Sequence, residues 1–251
     1  MVDFVGAGCG AADLITVRGM KLIQDADVMI YAGSLVNPEL LAYAKKDCEI
    51  YNSAEMSLDE IIDVMKKAET ENKHTVRLQT GDLSIFGALR EQADRLDELG
   101  IEYRVTPGVS SMFGAAAALK AEYTLPGVSQ SVIITRMAGR TEVPGRESIE
   151  SFAAHGTTMV IFLSAGMTGE LSERLVSGGY DPETPAAIVY KASWKDEKVM
   201  RCTVGTLHET AVENGIKKTA LIIVGNVLGS DYELSKLYDK TFETEFRKAE
   251  K

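Results

Sequence analysis

The stretch Val5-Gly6-Ala7-Gly8-Cys9-Gly10-Ala11-Ala12-Asp13-Leu14 begins at the end of a short apolar run and turns at once into glycines. Gly6, Gly8 and Ala11 match the relaxed fingerprint G-x-G-x-x-G/A of a dinucleotide-binding turn, in which glycines let the backbone turn tightly beside a pyrophosphate. That fingerprint also wants a carboxylate at the end of the second strand, to hold ribose hydroxyls. The second apolar run, Asp27 to Tyr31, ends Tyr31-Ala32-Gly33 without an acid, and Asp27 stands at its opposite end. The glycines therefore read first as conformational, supplying positive φ and close packing after a strand.

Working outward, Val2 to Val5 is the strand that feeds this turn, and Thr16 to Asp25 has Val17, Met20, Leu22 and Ile23 at helical spacing. Ser57-Leu58-Asp59-Glu60 is a capping box that opens a helix through Ile61, Ile62 and Met65. Thr75 to Gln79 predicts a strand, Ile85 to Leu99 a helix stopped by Gly100, Ile101 to Thr106 a strand, and Ser110 to Lys120 a small-residue helix. Strand alternating with helix predicts a mainly parallel sheet. Further strands are expected at Ser131 to Thr135, Thr158 to Leu163, Ala186 to Tyr190, Lys198 to Val204 and Ala220 to Val224. Lys191 to Glu197 is too short for a crossover helix, so the strands it joins form a hairpin and this second sheet is mixed. The expected architecture is two α/β domains, 1–124 and 125–251, divided near Leu125-Pro126-Gly127, with an active-site cleft between them.

Lys plus Arg number 27 and Asp plus Glu 37, a net charge of −10. That balance disfavours nucleic acid as a partner, while leaving room for a local basic patch that grips a small anion. No apolar run is long enough to span a membrane, and no signal peptide is visible. Cys9, Cys48 and Cys202 are too few and too scattered for a disulfide framework or a zinc site, so a reducing cytoplasm is expected. His74, His155 and His208 have no companions at ligand spacing, and no protein-bound metal is expected.

A resemblance covers nearly the whole chain. Val5-Gly6-Ala7-Gly8, Asp13-Leu14-Ile15-Thr16 and Arg18-Gly19 resemble the first signature of the tetrapyrrole methylases; Thr80-Gly81-Asp82 with Gly87 resembles the second, and Pro107-Gly108-Val109-Ser110-Ser111 the third. Within that family, Tyr31-Ala32-Gly33-Ser34-Leu35-Val36, Ile134-Thr135-Arg136 through Gly139-Arg140-Thr141, and Tyr190-Lys191-Ala192-Ser193-Trp194 are similar to the methylases acting at C11 of precorrin-4 or cobalt-precorrin-4. Cys9 and Leu83 stand where the family has prolines; loss of the second loosens the turn after Asp82, while Asp82 and both glycines remain and cofactor binding is expected to survive.

The resemblance implies two-domain transferases that use S-adenosylmethionine, pair as homodimers, and methylate a corrin precursor in cobalamin biosynthesis. It places Thr80, Gly81, Asp82, Ile85, Ser110, Ser111, Leu163, Ala192 and Ala220 at the cofactor, and Gly8, Tyr31, Ser34, Arg136, Arg140 and Lys191 at the tetrapyrrole. Read as chemistry alone, Asp82 suits either ribose hydroxyls or the N-cap of a following helix. The arginines suit the peripheral carboxylates of a precorrin, which guanidinium binds bidentately, or a solvated loop. Methyl transfer from a sulfonium to an electron-rich carbon demands positioning above acid–base help, and no catalytic acid or base is named by the sequence. The competing readings are a methylase acting at another ring position, a dinucleotide-dependent oxidoreductase, and a tetrapyrrole carrier without chemistry.

Overall fold

The computed structural model describes residues 1–249; the last two residues of the expected second domain, 250 and 251, lie outside the described residues. The chain folds into two compact units, one of Met1–Ala118 with Lys191–Lys198, the other of Leu119–Tyr190 with Val199–Lys251.

The first unit is built on five parallel strands, β1 (Val2–Gly6), β2 (Val28–Tyr31), β3 (Glu49–Asn52), β4 (Thr75–Gln79) and β5 (Tyr103–Thr106), in the order β3-β2-β4-β1-β5. The central strands β1 and β4 are buried along their whole length, as a parallel sheet covered on both faces requires. Helix α1 (Val17–Asp25) starts at Thr16, whose hydroxyl accepts the Gly19 amide. It packs Ile23 and Leu22 against Val5, Met29, Val76 and Leu78 on one face. Helix α2 (Leu58–Thr70) carries both halves of the predicted capping box, and its Ile61, Ile62, Met65 and Ala68 cover Val2, Phe4, Val28 and Ile30 on the other face. Each fully buried large side chain there contributes about 1.5–3 kcal/mol.

The spacing predicts helix α3 from Ile85, and it begins instead at Leu89, running to Leu99. Phe86 and Ala88 are left-handed, at φ 54° and 49°, so residues 83–88 form a non-helical turn. Leu96 of α3 joins the α2 face. The connection leaving β1 thus runs over one face through α1, and that leaving β4 over the other through α3. The carboxyl ends of these adjacent strands are a topological switch point, where open α/β sheets bind ligands. Helix α4 (Ser111–Leu119) completes the unit.

The second unit has β6 (Val132–Arg136), β7 (Thr158–Phe162), β8 (Pro185–Tyr190), β9 (Lys198–Thr203) and β10 (Ala220–Val224) in the order β6-β7-β10-β8-β9. β6 and β7 are parallel, while β10 runs antiparallel to both β7 and β8. Helices α5 (Ile149–Ala153), α6 (Thr168–Ser177) and α7 (Leu207–Glu213) bring Ile149, Leu171, Leu175 and Leu207 onto Met159, Ile161, Ile188 and Ile222. The sheet is mixed as expected, with β8 and β9 neighbours at its edge. Among the described residues no helix is long and apolar enough to cross a membrane.

Candidate active site

Three loops meet at the switch point of the first unit. The backbone pairs Gly8 with Gly81, the Gly81 amide donating to the Gly8 carbonyl at 2.9 Å and the Gly8 amide to the Gly81 carbonyl at 3.3 Å. A Cβ on Gly108 would lie 2.1 Å from the Gly81 carbonyl oxygen, and one on Gly6 would lie 2.6 Å from the Gly108 backbone and from that same oxygen. Gly6 at the end of β1 and Gly81 and Gly108 of the two following loops are therefore packed backbone on backbone, with no room for a side chain on Gly6 or Gly108. Gly81 is also left-handed, at φ 64°.

Asp82 closes the junction. One carboxylate oxygen accepts the Ser84 amide at 2.9 Å and the Ser84 hydroxyl; the other accepts the Gly108 amide at 2.9 Å. Burial works to raise its pKa, but the Ser84 hydroxyl and the two amides outweigh it and hold the carboxyl below the ordinary aspartate range. Three of the roughly four lone-pair sites of this carboxylate are thus taken by the protein. Asp82 caps the short turn that follows it and does not cap α3, which starts seven residues on.

Thr80 stands beside this junction with its hydroxyl oxygen buried and without a hydrogen-bond partner among the described residues, and Gln79 Oε1 is in the same state. Buried polar atoms are nearly always satisfied, so two orphans at the carboxyl end of β4 are consistent with a ligand arriving there. Ser110 is buried and its carbonyl accepts the Phe113 and Gly114 amides at the start of α4. Ser110 and Ser111 lie in ordinary contact with the position a Gly81 Cβ would take. Ile85, half-buried, sits in the turn with its amide reaching the Asp82 carbonyl at 3.4 Å.

Tyr31 ends β2 and Ser34 follows it, exposed in a single 3-10 turn, Gly33–Leu35. A buried arginine holds this segment from below. Arg77 donates to the Ile30 carbonyl at 3.2 Å, the Ser53 hydroxyl at 3.0 Å and Gln92 Oε1 at 2.9 Å, and the Ser53 hydroxyl in turn donates to the Tyr31 carbonyl at 3.0 Å. Burial lowers the Arg77 pKa to about 10, which leaves it charged at neutral pH. Nothing in the sequence pattern marks Arg77 or Ser53. Ala192 is buried in this same unit against Gly10 and Gly114, and Lys191 pairs with Asp196 at 2.6 Å.

In the second unit, Arg136 ends β6 and Leu163 follows β7, its parallel neighbour, while Ala220 opens antiparallel β10 opposite Tyr190. All three stand at one end of that sheet. Leu163 is a left-handed leucine, φ 53°, with 68% of its surface exposed. Non-glycine residues held there cost about 1–3 kcal/mol and cluster at functional sites. The Arg136 guanidinium donates to the carbonyls of Met137, Thr141 and Glu142, so it shapes its own loop, whereas Arg140 is exposed. Among the described residues no group of three or more His, Cys, Asp or Glu side chains is placed to hold a metal ion.

A family model described as Tetrapyrrole (Corrin/Porphyrin) Methylases matches residues 1–208. The chain belongs to this family. Among curated tetrapyrrole methylases, it is 56% identical to a cobalt-precorrin-4 C(11)-methyltransferase of Methanocaldococcus jannaschii, over 100% of this chain and 97% of that protein. It is 46% identical to a precorrin-4 C(11)-methyltransferase of a Sinorhizobium species, over 98% of each chain. Among solved tetrapyrrole methylases, a cobalt-precorrin-4 methyltransferase of cobalamin biosynthesis superposes with a TM-score of 0.89 at 42% identity, covering 91% of this chain and 96% of that one. A uroporphyrin-III C-methyltransferase from Thermus thermophilus, complexed with S-adenosylhomocysteine, superposes at 0.76 with 26% identity, covering 91% and 93%.

Proposed function

We propose that this tetrapyrrole methylase transfers a methyl group from S-adenosylmethionine to C11 of precorrin-4 or its cobalt form, in cobalamin biosynthesis. The observation that carries the reading is 56% identity, along the full chain, to a cobalt-precorrin-4 C(11)-methyltransferase. The residues at the switch point fit the cofactor: the orphaned Thr80 hydroxyl is a hydrogen-bonding group in need of a partner, and Gly81, whose Cβ position would touch only Ser110 and Ser111 at 3.7 Å, puts no side chain in the way. When bound, the cofactor supplies an electrophilic methyl on a positively charged sulfur.

Thr80, Gly81, Asp82, Ile85, Ser110, Ser111 and Ala192 are the proposed cofactor residues of the first unit, with Asp82 acting through the loops it ties together. Leu163 and Ala220 are those of the second. Gly8, Tyr31, Ser34, Lys191, Arg136 and Arg140 are proposed for the macrocycle, whose peripheral carboxylates suit the basic groups. Its cobalt, where present, belongs to the substrate. We place the enzyme in the cytoplasm as a homodimer that binds neither nucleic acid nor membrane, with domains of 1–124 and 125–251.

Calorimetric titration with S-adenosylhomocysteine, with NADH run alongside, tests the cofactor. Micromolar binding of the first and none of the second is expected, and the reverse returns the opening glycines to a dinucleotide. Incubation of cobalt-precorrin-4 with labelled S-adenosylmethionine then tests the reaction; no label in the macrocycle rejects the substrate.

A further inference from the structure

The glycine-rich turn Gly8–Ala11 is held by side chains from a part of the sequence more than 180 residues away. The Ala11 amide donates to the Ser193 hydroxyl at 2.9 Å, and Cys9 Sγ lies 3.4 Å from the same oxygen. Gly10, at φ 154°, lies against the indole edge of Trp194: a Cβ there would stand 2.3 Å from Trp194 Cδ1 and 2.7 Å from the Ala192 carbonyl oxygen. On its other side the Gly10 carbonyl accepts Asn37 Nδ2 at 3.0 Å. The peptide group that joins Gly10 to Ala11 is thereby fixed at both its carbonyl and its amide by side chains, and not by a strand or helix.

The segment that does this is itself strained and braced. Lys191 and Ser193 are left-handed non-glycine residues, at φ 47° and 66°. The Ser193 amide donates to Glu197 Oε2 at 2.6 Å, the Trp194 amide to the Lys191 carbonyl at 3.0 Å, and the Glu197 amide to the Trp194 carbonyl at 3.0 Å. Lys191 Nζ lies 5.5 Å from the centre of the Trp194 ring, and Lys195 pairs with Glu39. A cavity of about 300 Å³ opens beside it, lined by Ala11, Asp13, Asn37, Tyr43, Ser193 and Trp194. The clamp thus borders open space. Strain kept in place by surrounding contacts beside an open cavity is a mark of pre-organisation.

We infer that Ser193 is a positioning residue for the tetrapyrrole: through the Ala11 amide it sets the backbone of the glycine-rich turn against which the macrocycle seats, with Trp194 fixing Gly10. This rests on the macrocycle reading above, in which Gly8 contacts substrate. The hydroxyl is what matters, because removing it leaves the Ala11 amide without its acceptor and frees the turn.

Ser193→Ala, Ser193→Gly and Ser193→Asn separate this from a structural role. Steady-state methylation of cobalt-precorrin-4, S-adenosylhomocysteine titration and thermal melting are measured on each full-length variant. Alanine and glycine both remove the hydroxyl, but glycine also relieves the left-handed strain, and asparagine tolerates that conformation while restoring an acceptor. Alanine and glycine are expected to raise KM for the macrocycle by up to about tenfold, the loss of one partly buried hydrogen bond, with S-adenosylhomocysteine affinity unchanged. Asparagine is expected to recover most of that loss. Unchanged KM in the alanine variant, or cofactor affinity falling in parallel with KM, overturns the assignment while leaving the methyltransferase reading intact. A wild-type protein that binds S-adenosylhomocysteine but does not methylate cobalt-precorrin-4 overturns both.

Discussion

The Asp82 carboxylate accepts the Gly108 amide at 2.9 Å, and by that bond the loop after β4 holds the loop after β5. The same carboxylate is saturated on its other side by Ser84. Every group pointing at it is a donor. Asp82→Asn therefore forces an N–H against either Ser84 or Gly108, whichever way the amide turns. A donor–donor clash at a formerly charge-assisted site costs about 1.5–3 kcal/mol. S-adenosylhomocysteine affinity is expected to fall at least about tenfold in this variant. Unchanged affinity by calorimetry would separate the loop junction from cofactor binding.

The pH dependence of that contribution has a definite sign. Asp82 is depressed in the folded protein below its ordinary value of 3.8. The stability it contributes is complete above that value and is lost as pH falls through the lower folded one. Asp82→Asn has nothing to titrate there. The difference in melting temperature between wild type and variant is expected to stay constant from about pH 8 to about pH 4 and to close below that. A difference that closes between about pH 5 and about pH 7 would assign the effect to another group.

The contact of Gly108 with Gly81 is backbone on backbone, so nothing flexible can yield to a side chain. Gly108→Ala puts a methyl 2.1 Å from the Gly81 carbonyl oxygen and 2.8 Å from Gly6. A loss of about 3 kcal/mol or more in denaturant unfolding is expected, the upper range for overpacking. Gly139→Ala, where a Cβ meets nothing within 4 Å, is the control. It is expected to change stability by less than about 0.5 kcal/mol.

These glycines show how far the sequence carries. Glycine after an apolar strand announces a turn, and Gly6, Gly81 and Gly108 each stand in a legible loop; that the three touch depends on strand order, which no local pattern contains. The strand Glu49–Asn52 is not legible, because E-I-Y-N has one exposed isoleucine and no apolar run. The false start of α3 has a local cause, since Ile85 and Leu89 are helically spaced while Phe86 and Ala88 adopt backbone angles that spacing does not report. Arg77 is hidden inside T-V-R-L-Q as an ordinary strand residue. Ser193 is visible only as part of a family segment, because its partner Ala11 is remote in sequence.

Leu163 offers a test of the second unit. Being 68% exposed and left-handed, it holds little of the core together. Leu163→Gly relieves the backbone strain at the expense of chain entropy, and the two are of similar size, about 1 kcal/mol each. The melting temperature of the ligand-free protein is expected to stay within a few degrees, where a core leucine would cost about 2–5 kcal/mol. S-adenosylhomocysteine affinity is expected to fall about fivefold, the loss of part of one apolar contact. Full affinity in the variant would remove Leu163 from the cofactor site.

Arg136 and Arg140 lie four residues apart but do different work. Arg136 spends its guanidinium on the carbonyls of Met137, Thr141 and Glu142, at 3.0 to 3.2 Å, and so stiffens the loop that carries Arg140. Arg136→Ala is expected to lower stability by about 0.5–1.5 kcal/mol, because the Thr141 and Glu142 carbonyls are exposed and take water in place of the guanidinium. Arg140→Ala removes an exposed charge and is expected to leave the melting temperature unchanged while raising KM for the carboxylate-rich macrocycle. Screening distinguishes the two: salt shortens the reach of exposed charges, screening their attraction beyond a Debye length of about 8 Å at physiological strength. Wild-type KM should therefore rise with salt, and the Arg140→Ala variant should have lost part of that rise. If both variants show the wild-type salt dependence, the arginine loop does not meet the substrate.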